Sequence, residues 1–299
     1  MKKILIIGSL NMDIVLETPR IPKAGETISG KNIMQAPGGK GANQAYAIGK
    51  LGGKVEMIGA VGDDSFGYKL KANLESVGVS TVGVETFSGE PTGQAYIAVD
   101  EEGENSIILI AGTNGMVTKD MIKKNLKKIQ ESDIIIMQLE IPLEVVEYVK
   151  KLAVGLGKTV IVDPAPAVPN IPDSFWKGID YIKPNETELE ILAGKEMKNL
   201  EQLKEGARIM LEKGVKNVVV TLGGDGCLFV STEKEEFFPA NKVKVVDTTA
   251  AGDSFTAGMA LALSQGKTCE EAIAFGQKVS AIVVSRKGAQ ISIPAMEEI

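Results

Sequence analysis

Short apolar runs rich in isoleucine and valine alternate along this chain with longer segments of helical periodicity, and that alternation restricts the fold more than any single motif. Lys3 to Gly8, Lys54 to Ala60, Asp133 to Gln138, Thr159 to Asp163 and Asn217 to Leu222 are predicted strands. Helices are expected up to Leu51 after the alanine-rich start near Ala42, from Asp64 to Val77 with Asp64 as cap and Gly78 as stop, from Thr118 to Glu131, and from Pro142 to about Val154. A continuous apolar strand is buried on both faces, and a helix between two such strands returns the chain to the same edge, so successive strands run parallel. The predicted class is therefore α/β: a Rossmann-like, mainly parallel sheet with helices on both faces. Ligands are expected beyond the carboxyl ends of its strands, where Asp13, Glu140, Asp163, Asn185 and Asp253 all fall.

Two stretches break the alternation. Ile14 to Glu17, Thr27 to Gln35, Gln94 to Val99 and Ser106 to Ile110 are strand-like, the last two separated only by Asp100-Glu101-Glu102-Gly103-Glu104. They are expected to form a small antiparallel sheet acting as a lid, residues 11–35 and 91–110, on an α/β domain of residues 1–10, 36–90 and 111–299. A chain of 299 residues suits one large domain with such an appendage, since domains usually span about 100 to 200 residues.

Composition removes whole classes of function. With no histidine, Ser-His-Asp and Cys-His catalysis and histidine-ligated zinc are excluded, and two cysteines, Cys227 and Cys269, cannot build the usual structural zinc site. Chemistry is left to carboxylates, lysine, backbone amides or an oxygen-bound cation. A net charge of −6 and the lack of any Lys/Arg-rich run disfavour nucleic-acid binding. No apolar run approaches the roughly 18 residues of a membrane span, and two core-like thiols fit a reducing, cytoplasmic location.

Val243 to Gly266 carries the chemistry best suited to an anion. Val243, Val245 and Val246 are expected to form a strand, Asp247 to Gly252 a tight turn, and the following residues a helix with Phe255, Met259, Leu261 and Leu263 on its apolar positions. The amides of Ala250, Ala251, Gly252 and Asp253 then sit at a helix N-terminus, a natural phosphate site. Asp253 is either a helix cap or a carboxylate able to take a proton from an attacking hydroxyl. A second glycine-rich turn, Gly38-Gly39-Lys40-Gly41-Ala42-Asn43, also opens a helix, but it lacks the spacing of a P-loop. Asn11 and Asp13, two apart in an extended segment, offer donors and acceptors on one side to a polyol, or form an ordinary turn. Gly223-Gly224-Asp225-Gly226 after the last strand is a nucleotide-facing turn or a hairpin turn.

Gly38-Gly39-Lys40-Gly41-Ala42-Asn43 and Asp247-Thr248-Thr249-Ala250-Ala251-Gly252-Asp253 resemble the paired signatures of the pfkB, or ribokinase-type, family of sugar kinases. Asn11-x-Asp13, Asn185-x-x-Glu188, Thr221 to Gly226 and Arg286-Lys287-Gly288-Ala289 follow in the family's order, so the resemblance spans the chain. It implies ATP-dependent phosphorylation of a sugar, with Asp253 as base and the amides of Ala250 to Asp253 as anion hole. Asn11, Asp13, Gly39, Lys40, Asn43 and Glu140 would hold the hydroxyls, a set that argues for ribose and its O5. ATP would lie along Asn185, Thr221, Gly223, Gly224, Asp225, Gly226, Gly252 and Gln277, the last standing where relatives carry His or Asn. Glu188 with Asn185 would help organise Mg²⁺ indirectly. Potassium would be held by oxygens of Asp247, Thr249, Val283, Arg286, Gly288 and Ser292.

The same resemblance leaves open a sibling kinase for fructose, a sugar acid or a nucleoside, and a catalytically silent ribose-binding protein. One lid face is expected to cover the sugar through Asn11 and Asp13, and the other to present Val15, Ile97, Val99, Ile107 and Leu109. Exposed apolar surface of that kind marks an interface, here a homodimer through paired lids.

Overall fold

In the computed structural model, which describes residues 1–299, the first apolar run becomes β1 (Ile4–Ile7), with every side chain buried. Ile4 and Ile6 pack on one side of the sheet and Leu5 and Ile7 on the other, as the period of two demands in a strand covered on both faces. The chain continues through β2 (Asn11–Glu17), β3 (Asn32–Gly38), α1 (Lys40–Lys50), β4 (Val55–Gly62), α2 (Ser65–Glu75), β5 (Ser80–Phe87), β6 (Gly93–Val99) and β7 (Asn105–Ile110). Next come α3 (Lys119–Lys124), α4 (Leu126–Glu131), β8 (Ile134–Met137), α5 (Leu143–Gly155), β9 (Thr159–Val162), α6 (Asp173–Trp176) and β10 (Tyr181–Ile182). It ends with α7 (Glu186–Ala193), α8 (Leu200–Glu212), β11 (Asn217–Thr221), β12 (Gly226–Ser231), β13 (Glu235–Pro239), α9 (Ala251–Ser264) and α10 (Cys269–Val284).

The large sheet has the order β13-β12-β11-β10-β9-β8-β1-β4-β5, parallel from β5 to β11 and antiparallel only at β12 and β13. Helices α1, α2, α9 and α10 cover one face, while α3 to α5, α7 and α8 cover the other. From β1 the chain builds outward first through β4 and β5 and later, on the opposite side, through β8 and β9. A reversal of this kind opens a crevice beyond the carboxyl ends of the strands. β5 and the edge strand β13 escape the sequence reading, the first because Gly83 interrupts its apolar alternation and the second because EEFFP is half charged.

The small sheet has the order β3-β2-β6-β7, two antiparallel pairs joined along a parallel β2–β6 seam. Its second expected strand shifts from 27–35 to Asn32–Gly38, so residues 36–38 belong to this sheet and not to the α/β domain. Pro37 pairs opposite Met12 and is tolerated because β3 is an edge strand. Register also corrects the faces: Asn11 and Asp13 share theirs with Val15, Ile97, Ile107 and Leu109, while Met12, Ile14 and Tyr96 pack into the main core. Ile107 and Leu109, on the face that carries Asn11 and Asp13, remain 58% and 43% exposed, and Ile108 and Ile110 on the opposite face remain 68% and 45% exposed.

The expected strand at Val243 to Val246 does not form. β13 already occupies the sheet edge, and residues 240–246 cross open space as an irregular segment. Val243 and Val245 line a cavity there instead.

Candidate active site

The turn before α9 has the expected location with a sharper geometry. Ala250 adopts the left-handed conformation, φ 60° and ψ 9°, which L-residues enter only at a cost of order 1 kcal/mol. Ala251 donates its N–H to the Thr248 carbonyl at 3.2 Å, so it is diverted from the expected anion hole. The amides of Ala250, Gly252 and Asp253 have no backbone acceptor and are the turn's free donors.

Asp253, 6% exposed, is fixed from α1 and not from its own helix. Asn43 Nδ2 donates to its Oδ2 at 2.8 Å and Gln44 Nε2 to its Oδ1 at 3.3 Å. Both amides are locked in orientation, because Gln290 Nε2 donates to Asn43 Oδ1 at 3.0 Å and Gln138 Nε2 donates to Gln44 Oε1 at 2.6 Å. Asp253 is thus more than a cap: its carboxylate is presented at the turn by a network that reaches α1, β8 and the C-terminal segment. Gln44, Gln138 and Gln290 carry no signal in the sequence, as each acquires its partner only on folding.

At one end of the turn lie the expected hydroxyl-binding residues. Asn114 Nδ2 donates to Asn11 Oδ1 at 2.7 Å, and Glu140 Oε2 accepts from the Ser9 hydroxyl and from the Lys40 amide at 3.1 Å. Gly38 must lack a side chain, since a Cβ would sit 2.1 Å from Asp13 Oδ2, and Gly39 enters α1 with φ 87°. Burial first, then the carboxylates of Glu140 and Asp253, push Asp13 up to about 7. Glu140 is also raised by burial, against the pull of Lys40. Burial works against the Lys40 ammonium, but the surrounding Asp253, Asp163, Glu140 and Glu188 hold it above the usual lysine range. Three carboxylates and one cation around a buried pocket suit a neutral polyol that offers hydroxyl donors.

The other end opens into a cavity of about 870 Å³, large enough for a nucleotide, running from Asp253 and Lys40 to the β11–β12 turn. Asn185, Glu188, Thr221, Gly223, Gly224, Gly226, Gly252 and Gln277 all line it. Asp225 does not; its main chain closes the turn by bonding Leu222 and Ala240. The glycine turn forms the hairpin between β11 and β12 and is also a wall of the cavity. Asn185 and Glu188 form a reciprocal capping box at α7, each side chain accepting the other's N–H, at 2.7 and 2.8 Å. Gln277 is anchored through its amide nitrogen to the carbonyls of Phe238 and Pro239 at 3.0 and 3.4 Å. Lys183, which directly follows β10, lines the same cavity with Asp163.

Beside the turn, Asp247 Oδ1 accepts the Thr249 N–H and hydroxyl at 2.9 and 2.6 Å, and its Oδ2 accepts the Gly288 N–H at 2.8 Å. Those bonds, with help from Lys287, outweigh burial and hold its carboxyl below the ordinary range. Asp247, Thr249 and Gly288 are therefore brought together, and Ser292 is buried on the same C-terminal segment. The Arg286 guanidinium turns away to Glu298 at 2.6 Å, so only its main chain could serve a cation here. The donors available are oxygens, which fits a hard monovalent ion. No three carboxylates or thiols converge as a divalent-metal cage.

Comparison with known proteins matches residues 1–296 to the pfkB family of carbohydrate kinases. A ribokinase of Haemophilus influenzae is 41% identical over 297 residues, 99% of this chain and 97% of the relative. A solved ribokinase from Thermotoga maritima superposes with a TM-score of 0.91 at 42% identity, covering 100% of this chain and 98% of the other. Arabidopsis thaliana ribokinase, solved with ribose and ATP, gives a TM-score of 0.91 at 35% identity over 99% and 96% of the two chains.

Proposed function

Because the chain belongs to the pfkB family of carbohydrate kinases, we propose that it transfers the γ-phosphoryl group of ATP to the 5-hydroxyl of D-ribose, giving ribose 5-phosphate and ADP. The observation that carries this reading is the placement of Asp253. Its carboxylate is held by Asn43 and Gln44 on a turn with free amides, between a hydroxyl-binding pocket and a nucleotide-sized cavity. Asp253 takes the proton of the ribose O5 hydroxyl as O5 bonds to the γ-phosphorus. The bond from that phosphorus to the β–γ bridging oxygen breaks, and ADP leaves with its electron pair. The amides of Ala250, Gly252 and Asp253 meet the charge that develops on the phosphoryl oxygens.

Asn11, Asp13, Gly39, Lys40, Asn43 and Glu140 hold the remaining hydroxyls. ATP lies along Asn185, Thr221, Gly223, Gly224, Gly226 and Gln277. Asn185 and Glu188 would help organise Mg²⁺ with the nucleotide, and the ion when bound would supply charge neutralisation. Oxygens of Asp247, Thr249, Val283, Arg286, Gly288 and Ser292 would hold potassium, which orders the turn. The small sheet acts as a lid over the sugar, and its exposed Ile107 and Leu109 face pairs two subunits. No helix is long and apolar enough to cross a membrane, and we assign the enzyme to the cytoplasm. A coupled assay of ADP release over ribose, 2-deoxyribose, fructose, a sugar acid and a nucleoside tests the assignment; ribose should give the highest kcat/KM, and turnover of none would overturn it.

A further inference from the structure

Lys183 directly follows β10, and its backbone N–H bonds the Val162 carbonyl, which sets its side chain at the carboxyl edge of the sheet. That side chain is only 5% exposed, yet its sole carboxylate neighbour within ion-pair reach is Asp163 Oδ1 at 3.4 Å, too long for a good hydrogen bond. Asp163 Oδ1 is itself buried without a hydrogen-bond partner. Nζ also lies against the anion turn: a Cβ built on Gly252 would be 3.0 Å from it. A buried ammonium with three N–H donors and only the one distant carboxylate oxygen, facing a cavity beside free backbone amides, is arranged for a further anionic oxygen. Asp163 in turn accepts from Gln44 Nε2 at 2.9 Å, and the same nitrogen donates to Asp253, so the ammonium is held in register with the base.

We propose that Lys183 is a further catalytic residue, its ammonium contacting the terminal phosphoryl group of a nucleoside triphosphate seated on the Gly252 turn, with Asp163 as its positioning residue. This rests on the phosphotransfer reading above. As O5 bonds to phosphorus and the bridging oxygen departs with its electron pair, Lys183 stays protonated and supplies charge only, complementing the amides from the β10 side.

Calorimetry with the β,γ-imido analogue of ATP and with ADP, each with Mg²⁺, separates this proposal from the reading it rests on, because it needs no turnover. The wild-type protein should bind the triphosphate analogue more tightly than ADP. Lys183→Met should lose about 10- to 100-fold of triphosphate affinity while keeping that for ADP, as expected when one charge-assisted contact is removed. Lys183→Arg should preserve much of the preference. In the sugar assay kcat should fall with Lys183→Met while KM for ribose holds. If Lys183→Met does not fold, Lys183→Gln carries the same comparison. A triphosphate preference unchanged in the neutral variant, or an equal loss for both nucleotides, overturns the proposal; absence of sugar turnover by the wild type would instead overturn the assignment as a kinase.

Discussion

Asp13 gives a prediction whose sign runs against intuition, since removing a charged binding residue should stabilise the sugar-free protein. Burial and two nearby carboxylates raise its pKa from the ordinary 3.8 to about 7. That rise is about three tenfold factors, equivalent to about 4 kcal/mol of disfavoured charge when the group is fully ionised. The folded protein thus binds a proton here that the unfolded chain has released, so this group's contribution to stability falls as pH rises from about 4 to about 7. Asp13→Asn keeps the shape against Gly38 and removes the titration. Its stabilisation relative to wild type should be small near pH 4, then grow by about 2 to 3 kcal/mol between pH 5 and pH 8. Urea unfolding of both proteins without sugar at pH 5.0, 6.5 and 8.0 reads this difference, and because both retain Glu140, its own titration cancels to first order. A difference that stays constant with pH, or a variant less stable than wild type at pH 8, would refute the reasoning. KM for ribose should rise in the same variant while KM for ATP holds.

Three further outcomes are expected. Asp253→Asn should lower kcat about 10²- to 10⁴-fold, and should also lower the melting temperature, because Asn43 and Gln44 are locked as donors and would face a new N–H₂ group; a variant keeping more than about a tenth of wild-type kcat would show that Asp253 is not the base. Potassium should activate the enzyme through the Asp247 loop, and full activity in buffer containing only a large organic cation would remove that site from the mechanism. In sedimentation at micromolar concentration the wild type should be a dimer that Ile97→Glu and Leu109→Glu each dissociate, whereas a monomeric wild type or an indifferent dimer argues against the paired lids.

The sequence discloses most where one stretch makes its own signal. β1, β4, β8, β9 and β11 are apolar runs longer than chance turns allow, and the glycine-rich entry to α1 and the turn into α9 declare themselves by composition. Val243 and Val245 mislead because a branched apolar residue lining a cavity has the same composition as one in a strand. Pro37 misleads in the opposite direction, ending a predicted strand that an edge position lets continue. Asn114, Gln138 and Lys183 are illegible for another reason: each is an ordinary polar residue whose meaning comes from partners far along the chain, Asn11, Gln44 and Asp163. Face assignment in the small sheet required register, which pairing fixes and composition does not.

β3 ends at Gly38 and α1 begins at Lys40, leaving Gly39 as the single residue between them. A Cβ there would meet the Asn11 amide nitrogen at 2.7 Å, so the junction has no room for a bulkier joint. Four residues further on, Asn43 grips Asp253. The small sheet and the carboxylate are consequently tied through one joint: Gly39 links β3 to the first turn of α1, which carries the amide that aims the carboxylate. Anyone grafting the small sheet of a relative onto this scaffold should carry α1 along with it, since a swap cut at Gly39 would couple a foreign lever to a native trigger.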